Sequence, residues 1–469
     1  MKLKFCGAAG AVTGSSHLLT LDSGFSILLD CGLYQGNDKE MKDFNERWLL
    51  EPSEVDAVVL SHAHIDHTGR LPKLVKDGFA GPVYATHATR SLCAIMLLDS
   101  AKIQERDAEY WNRNQKKRKK KNFTPKEALY TSQHVTQTMN NFVGQPYNQW
   151  FRIHKHVEVL YKDAGHILGS ASVTLRVTEN GKETLVGFTG DIGRPDRPIL
   201  RDPQPMPVVD YLISESTYGA KVHEGKPAEE SRFLDIIRKT CVDQKGKLII
   251  PAFSVGRTQE IVYMLDQMET AGLLPKIPVY VDSPLSVNAT TVFGAHPECY
   301  DNDLNQYLLI DDNPFGFNNL TYVRHVDVSK ALNTSDDPCI IISSSGMMNA
   351  GRIRHHIFNN MTSKKNTLLI VGYCSPNTLG GIIRQGVEEI KMWGETKPLN
   401  MKVEIMDSFS AHADRNEILE FLDNQRGKVR KAFLVHGEDK GRESLKELME
   451  DNGFTKVALP SLGETFNLR

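Results

Sequence analysis

His62, His64, Asp66 and His67 lie within six consecutive residues, shortly after the apolar run 55–60. Imidazole nitrogen suits zinc, and a carboxylate adds the negative charge that holds divalent ions close together. Because four ligands on so short a segment cannot all face one small ion comfortably, they favour a site in which two metal ions divide them. The alternative is a polar loop in which histidines cluster by accident.

Further side chains of these types stand at the ends of other predicted strands. His166 lies in the turn 165–170, Asp191 follows the strand 185–188, and His436 follows the strand 433–435. Taken singly, they would be a packed loop residue, a turn residue and a residue at a helix start. Taken together, one polar side chain at the end of each of several strands is what a metal site at the edge of a sheet requires.

Other histidine pairs in the chain carry a weaker signal. His154 and His156 alternate with Lys155 on a predicted strand, and no carboxylate accompanies them. Without an acid to complete a ligand set, we interpret them as surface residues of that strand. His355 and His356 lie on a predicted helix, and we interpret them as packing or solvent-contacting residues.

The elements that must position these side chains change character along the chain. The first half reads as short apolar strands between glycine-rich turns, at 55–60, 184–188 and 208–213. From about residue 230, strands alternate with helices, which predicts a parallel α/β layer. A loop is predicted at 393–399, and the tail then resumes with a strand at 402–406, a helix at 414–422 and a strand at 431–435. We interpret this order as one domain interrupted by another.

Composition limits the class of protein. The chain has 469 residues, of which 40% are hydrophobic and 24% charged, values typical of two or three globular domains and not of a disordered or fibrous chain. No apolar run reaches the roughly 18–20 residues that span a bilayer, and no signal-type apolar core follows the N-terminus. We therefore expect a cytoplasmic protein with no membrane partner. Seven scattered cysteines without a C-x-x-C pair argue against a disulfide framework.

The charge pattern leaves one local feature open. A net charge of −2 excludes a strongly basic coat for nucleic acid, but the run 113–121 concentrates arginine and lysine. It is either a solvated loop or a patch that contacts phosphates beside a nucleic-acid channel.

The ligand segments together resemble those of the metallo-β-lactamase superfamily. They are H-x-H-x-D-H at 62–67, G-H-x-x-G-S at 165–170, T-G-D at 189–191 and V-H-G at 435–437. Asp30, in L-L-D-C-G at 28–32, matches the early aspartate of that superfamily. Two more segments resemble motifs A and B of the β-CASP nucleases: S-E-S-T-Y-G at 214–219, which contains Glu215, and S-A-H-A-D at 410–414, which contains His412. The chain thus resembles the family that includes the endonuclease subunit of the cleavage and polyadenylation specificity factor.

The resemblance implies an α/β fold, with a metallo-β-lactamase αββα sandwich and an inserted β-CASP domain on a parallel α/β sheet. The implied boundaries are 1–218 and 396–469 for the sandwich and 219–395 for the insert. The chain ends about thirty residues after His436. We therefore expect a short, free-standing, bacterial-type member and not a subunit of a polyadenylation complex. A histidine at 436 suits the RNA-cleaving branch of the family.

The resemblance also implies two Zn²⁺ ions and a ligand set. Following the family pattern, the first ion takes His62, His64 and His166, the second takes Asp66, His67 and His436, and Asp191 bridges them. Hydroxide held between the ions would attack phosphorus, leaving 5′-phosphate and 3′-hydroxyl ends. His412 would protonate the leaving oxygen and Glu215 would orient its imidazole, so these two and Asp66 are the expected catalytic residues. Asp30 would hold a ligand histidine.

The expected substrate is single-stranded RNA, and the family places it in the cleft between the two domains. Ser343, Ser344 and Ser345 stand between a predicted strand and a helix, where hydroxyl and backbone N–H groups could hold a phosphate. Arg352 could pair with a phosphate through two hydrogen bonds. The alternatives are helix capping for the serines and a surface ion pair for the arginine.

Two other functions stay open. One is a small-substrate hydrolase on the same metal core, such as a thioesterase or a lactamase. The other is a catalytically weak RNA-binding scaffold. The large insert and the segment 410–414 argue against the first, and the complete ligand set argues against the second. A homodimer is also left open.

Overall fold

The computed structural model describes residues 1–36, 41, 43–117, 123–223, 229–372, 374–375, 377–406 and 411–468. The chain divides into two compact units, Met1–Val222 with His412–Arg469, and His223–Ala411. Within the described ranges, no helix combines the length and the apolar character needed to cross a membrane.

Strands make up most of the framework. In the described ranges they are β1 (Lys2–Gly7), β2 (Ser16–Thr20), β3 (Ser26–Leu29), β4 (Ala57–Val59), β5 (Val83–Thr86), β6 (Phe142–Gln145), β7 (Phe151–His154), β8 (Val157–Asp163), β9 (Ala171–Glu179), β10 (Lys182–Phe188), β11 (Tyr211–Ser214), β12 (Lys247–Pro251), β13 (Val279–Val281), β14 (Leu320–Tyr322), β15 (Cys339–Ser343), β16 (Thr367–Ile370), β17 (Glu389–Met392), β18 (Glu395–Pro398), β19 (Lys402–Ile405), β20 (Lys431–Leu434), β21 (Val457–Ala458) and β22 (Thr465–Asn467).

Helices connect and cover these strands. In the same ranges they are α1 (Ile65–Thr68), α2 (Leu71–Lys76), α3 (His87–Lys117), α4 (Ser132–Asn140), α5 (Glu229–Ile237), α6 (Arg257–Thr270), α7 (Pro284–Gly294), α8 (Asn302–Tyr307), α9 (Val326–Thr334), α10 (Ile353–Asn360), α11 (Leu379–Arg384), α12 (Arg415–Phe421) and α13 (Asp439–Asp451). A π-helical turn, Arg238–Asp243, extends α5.

The first unit is built on two seven-stranded sheets, in the orders β22-β1-β2-β3-β4-β5-β6 and β21-β20-β11-β10-β9-β8-β7. Alternate residues of β8, among them Val159 and Tyr161, point into a core that also contains Phe5 and Phe433 from the two sheets. Helix α3 packs on β5 and β6, and Ile418 and other residues of α12 and α13 cover the second sheet. This arrangement confirms the predicted αββα sandwich.

The second unit is built on one six-stranded sheet in the order β14-β13-β15-β12-β16-β19. Every neighbouring pair in this sheet is parallel. Strand β12 is buried along its whole length, as expected for a parallel strand that is covered on both faces. The parallel α/β layer that alternating strands and helices predicted is therefore confirmed.

Strand β19 belongs to the sheet of the second unit, although it follows the predicted boundary at 395. It pairs with β16, in the register Thr367↔Lys402, and so completes the sheet of the second unit. The sequence had placed residues 396–411 with the sandwich. The domain boundaries at 218 and 395 stay a prediction.

The loop predicted at 393–399 is wrong, because strands β17 and β18 form an antiparallel hairpin there. Trp393 and Gly394 occupy its tip, with φ angles of 51° and 91°. A two-residue turn with positive φ at both positions matches the twist of the flanking strands. The glycine at the second position adopts that conformation without steric cost.

Candidate metal centre

The predicted ligands collect at one end of the sandwich because several parallel strands end there. Strands β3 and β4 are parallel in one sheet, and β10, β11 and β20 are parallel in the other. The acidic residues and histidines that follow these strands within three positions are Asp30, His62, Asp191, Glu215 and His436. The carboxyl ends of the strands thus deliver them to a common edge.

The first ligand group consists of three histidines and an aspartate. His64 Nδ1 lies 3.1 Å from His62 Nε2 and 3.2 Å from His166 Nε2. Asp191 Oδ2 lies 3.5 Å from His62 Nε2 and 3.6 Å from His166 Nε2. The four ligand atoms all lie within 4.8 Å of one another, so they face a common point.

The second ligand group lies on the other side of Asp191. His436 Nε2 is 3.1 Å from His67 Nε2 and 3.4 Å from Asp66 Oδ2. Asp191 Oδ1 is 3.3 Å from His67 Nε2. Asp191 therefore presents one carboxylate oxygen to each group, which is the position that a bridging ligand needs.

Backbone conformation fixes these ligands in place. Gly190, just before Asp191, has a φ of 57°, and a Cβ at Gly190 would lie 2.5 Å from Ser61 Cβ. Asp30 and His436 are not glycines, yet they too have left-handed φ angles of 57° and 51°. Strained backbone of this kind is common at functional sites, where the surrounding structure imposes it.

The donor set fits zinc. Ligand atoms around a tetrahedral zinc ion lie about 3.3 Å apart, since each bond measures roughly 2.0–2.1 Å, and the imidazole pairs lie at 3.1–3.2 Å. His64 Nδ1 faces two other ring nitrogens, and hydrogen bonding alone cannot satisfy both contacts well. Within the described part of the chain, the buried Asp191 Oδ1 accepts no hydrogen bond of normal geometry. A cation would satisfy these facing groups together.

Burial sets the charge of the first group. It holds the pKa of His62 and of His166 well below 6.5 and lowers the pKa of His64 to about 4. These imidazoles are therefore neutral near pH 7, the form in which histidine binds a metal ion.

The carboxylates remain ionised in spite of their burial. Burial alone would raise the pKa of Asp191 and Asp66, but neighbouring histidines, chiefly His436, hold the pKa of Asp191 well below its usual range and that of Asp66 at about 2. Burial opposes the charged form of His67 as well, yet the carboxylates of Asp191 and Asp30 raise the pKa of His67 above its usual range. The two ionised carboxylates attract cations, and a metal ion bound at His67 would displace the proton that this imidazole otherwise carries.

His412 and Glu215 form a pair beside the two ligand groups. His412 Nδ1 lies 3.4 Å from Glu215 Oε2 and 4.0 Å from Asp191 Oδ2. Glu215 is fully buried, and Ile192 N donates to Glu215 Oε1 at 2.5 Å. Burial would lower the pKa of His412, but the Glu215 carboxylate raises it to about 9. The His412 side chain is 22% exposed, so solvent and ligands can reach it.

Comparison with known proteins gives three matching family descriptions along the chain. They are the metallo-beta-lactamase superfamily at 9–131, the Beta-Casp domain at 258–383, and the Zn-dependent metallo-hydrolase RNA specificity domain at 396–460. The chain is 35% identical over 465 residues to Ribonuclease TTHA0252 of Thermus thermophilus, and the match covers 99% of each chain. The chain belongs to the β-CASP family of the metallo-β-lactamase superfamily.

Two further matches widen the β-CASP comparison. Cleavage and polyadenylation specificity factor 73 of Drosophila melanogaster is 32% identical over 450 residues, which are 93% of this chain and 60% of that relative. A crystal structure of a protein of unknown function from Enterococcus faecalis V583 matches with a TM-score of 0.53 and 12% identity, over 100% of this chain and 99% of the other. At that identity the second match supports the fold alone. The family inferred from the sequence motifs is confirmed.

Three residues position side chains of the β-CASP ligand set, and the sequence motifs predicted only Asp30 in this role. Asp30 Oδ2 accepts a hydrogen bond from His67 Nδ1 at 2.7 Å. Ser61 Oγ donates to Asp30 Oδ2 at 2.8 Å and lies 3.0 Å from His62 Nδ1. Thr217 Oγ1 lies 3.1 Å from His436 Nδ1. Ser61 precedes His62 directly, and Thr217 lies in motif A. Their closeness to these motifs in the sequence is the signal from which their contacts with the ligands could have been predicted.

The β-CASP insert holds the predicted substrate-binding serines at the end of β15. Ser343 Oγ donates to the Asp282 carbonyl at 2.8 Å, and Ser344 Oγ donates to Ser283 Oγ at 2.9 Å. Ser345 is partly exposed beside them. Helix α10 begins ten residues after β15 ends, so none of the three serines caps it, and their role in binding stays a prediction.

Arg352 has several acceptors within its own unit. It donates to Asp282 Oδ1 at 2.6 Å, to the Val323 carbonyl at 3.3 Å and to the Arg324 carbonyl at 2.8 Å. Asp282 also lies 2.6 Å from His356 Nε2. The ion pair of Arg352 is thus with a buried carboxylate and not on the surface, and its binding to phosphate stays a prediction.

Other predicted features lie outside these groups. His154 ends β7 and His156 lies in the following turn, where neither joins a ligand group. Lys116 and Lys117 are exposed at the end of α3, whereas residues 118–121 of the basic run lie outside the described residues. Ser410 of motif B lies outside them as well.

Proposed function

We propose that this β-CASP protein is a zinc-dependent ribonuclease that hydrolyses phosphodiester bonds of single-stranded RNA. The observation that carries the proposal is the carboxylate of Asp191, which faces one complete ligand group with each oxygen while His412 lies at its side. The full-length similarity to a chain named a ribonuclease supports RNA as the substrate. We include two metal ions per chain in the proposal.

The ligand roles follow the two groups. His62, His64 and His166 would hold one ion, Asp66, His67 and His436 the other, and Asp191 both. Two zinc ions held there would supply Lewis acidity, lowering the pKa of water toward about 7 and offsetting negative charge on the phosphate. Asp30 keeps His67 in the orientation and tautomer that leave its Nε2 free to act as a ligand.

His412 is the proposed proton donor. It lies at the edge of the ligand groups, it is partly exposed, and it contacts Glu215 at 3.4 Å. Glu215 Oε1 is held by the backbone N–H of Ile192, so the carboxylate can fix the direction of the imidazole. Protonation of the departing 3′ oxygen by His412, with attack of water at phosphorus, leaves 5′-phosphate and 3′-hydroxyl ends.

The test uses purified protein and single-stranded RNA labelled at its 5′ or its 3′ end. We expect cleavage that a chelator abolishes and zinc restores, with product ends that ligase accepts only in the 5′-phosphate and 3′-hydroxyl form. Product sizes from the two labels separate internal from terminal cleavage. RNA that stays intact while a thioester or a β-lactam is hydrolysed would favour the small-substrate hydrolase instead.

The same preparation tests the remaining expectations. RNA that binds tightly but stays intact in zinc-loaded protein would favour the scaffold. Light scattering would separate a monomer from a homodimer, which is left open in the proposal. A cytoplasmic location stays a prediction from the sequence.

A further inference from the structure

An exposed group of aromatic rings lies on the second unit, at the tip of the hairpin β17–β18. Trp393 is 53% exposed. The ring of His355, on α10, stacks on the indole with centroids 4.6 Å apart and an interplanar angle of 19°. Phe358 of the same helix meets the indole edge-on at 5.2 Å. We call these three rings the Trp393 stack.

The hairpin exposes Trp393 through its geometry. Ile390 and Met392 of β17 are buried in the core of the unit, and these two side chains anchor the hairpin. The positive φ of Trp393 then turns the indole out of the strand and onto α10. The packing on His355 holds the ring in place, and about half of the Trp393 residue stays open to solvent. A preformed aromatic surface of this kind loses little entropy when it binds a planar ligand.

Two cations lie against the rings of the Trp393 stack. The guanidinium carbon of Arg354 lies 5.1 Å from the centre of the Trp393 ring, and Lys397 Nζ lies 3.7 Å from the centre of the Phe358 ring. Lys391 is exposed on the same hairpin. Glu389 and Glu395 are exposed on the hairpin as well, so the cations that an anionic ligand would meet at the rings themselves are Arg354 and Lys397.

We propose that the Trp393 stack is a binding site for single-stranded RNA, in which a base stacks on the open indole while Arg354 and Lys397 contact the adjacent phosphates. The inference rests on the proposed function, because an RNA-cleaving chain gains from a second place to hold its substrate. Aromatic planes flanked by cations are the combination that binds single strands without sequence preference. Three rings are too few for a stable protein interface, which buries about 800 Å² on each partner.

Binding of a fluorescein-labelled single-stranded RNA with phosphorothioate linkages, which slow hydrolysis, measures the contribution of the stack. Replacement of one stacked aromatic ring weakens binding by about 1–3 kcal/mol, so Trp393→Ala should raise the Kd about 5- to 150-fold. Trp393→Phe keeps an aromatic plane and should recover most of the affinity. Leu309→Ala removes a still more exposed apolar side chain, 88% exposed, outside the stack and should leave the Kd unchanged. Melting curves confirm that each variant is folded.

Two comparisons separate this proposal from the proposed function. Hydrolysis of bis-p-nitrophenyl phosphate, which has a single phosphodiester and no RNA strand, should be the same in wild type and Trp393→Ala. If wild type binds RNA in a Trp393-dependent way but cannot cleave it, the proposed function fails and the stack stands. If wild type cleaves RNA and Trp393→Ala binds RNA with the wild-type Kd, the proposed role of the stack is refuted. The same conclusion holds if Trp393→Ala changes the oligomeric state and nothing else.

Discussion

Replacement of Asp30 by asparagine should weaken one of the two proposed metal positions and spare the other. Asp30 Oδ2 accepts hydrogen bonds from His67 Nδ1 at 2.7 Å and from Ser61 Oγ at 2.8 Å, while Oδ1 accepts from Ser61 N at 2.8 Å. Asparagine has the same shape but offers one acceptor and one donor. If its NH₂ group faces His67, the proton must move to Nε2, the nitrogen that faces the second ligand group. If the amide turns over, NH₂ meets the Ser61 N–H instead.

The magnitude follows from the loss of a supporting carboxylate, which typically weakens metal affinity 10- to 100-fold. That range corresponds to about 1.4–2.7 kcal/mol of binding free energy. Competition with a chromophoric chelator should show one zinc ion that binds more weakly in Asp30→Asn and one that is unchanged. In Asp282→Asn, the same change breaks a contact with His356 in the second unit. This control should lower stability without changing zinc affinity. Equal zinc affinities in Asp30→Asn and wild type would refute the reasoning.

Three further predictions follow from individual side chains. His412→Ala should lower RNA cleavage by about 10²- to 10⁴-fold at unchanged zinc content, and Glu215→Gln should show a milder defect of the same kind. Burial raises the pKa of Asp163 from 3.8 to about 7, so the folded chain keeps a proton that the unfolded chain releases, and stability is lost as the pH rises through this interval. Asp163→Asn should therefore gain melting temperature relative to wild type at pH values above about 7. Lysine-to-glutamine changes in 116–121 should weaken RNA binding and flatten its salt dependence by about 0.7 log units per lost phosphate contact.

Each of these predictions has a contradicting result. Loss of zinc from His412→Ala would make that histidine a ligand and not a proton donor. A melting-temperature difference between Asp163→Asn and wild type that is independent of pH would remove the burial argument. Identical salt slopes would mean that the basic run is only a solvated loop.

The ligand positions could be predicted because their geometry depends on strand order. His62, Asp191 and His436 each follow a buried apolar strand, and the strands that carry them end at one edge of the sandwich. The alternation of strands and helices after residue 230 predicted a parallel layer, because a helix between two successive strands lets them run parallel in one sheet. In both cases a local pattern, repeated along the chain, carried the information.

The contacts that escaped prediction join residues far apart in sequence. Arg352 was expected to be available to a phosphate, but Asp282, seventy positions earlier, pairs with it at 2.6 Å. Strand β19 looked like part of the sandwich because its pairing with β16 depends on tertiary packing. The hairpin tip at Trp393 looked like a loop because its strands carry several charged residues and only two buried apolar ones. No periodic pattern marks any of these features.

Zinc content measured together with RNA cleavage tests the central claim most directly. Elemental analysis of the purified protein should find two zinc ions per chain in wild type. Asp191→Ala, which removes the carboxylate that faces both groups at 3.3–3.6 Å, should lose zinc and cleavage together, and the Leu309→Ala control should keep both. A protein that cleaves RNA at its full rate without bound metal would contradict the account.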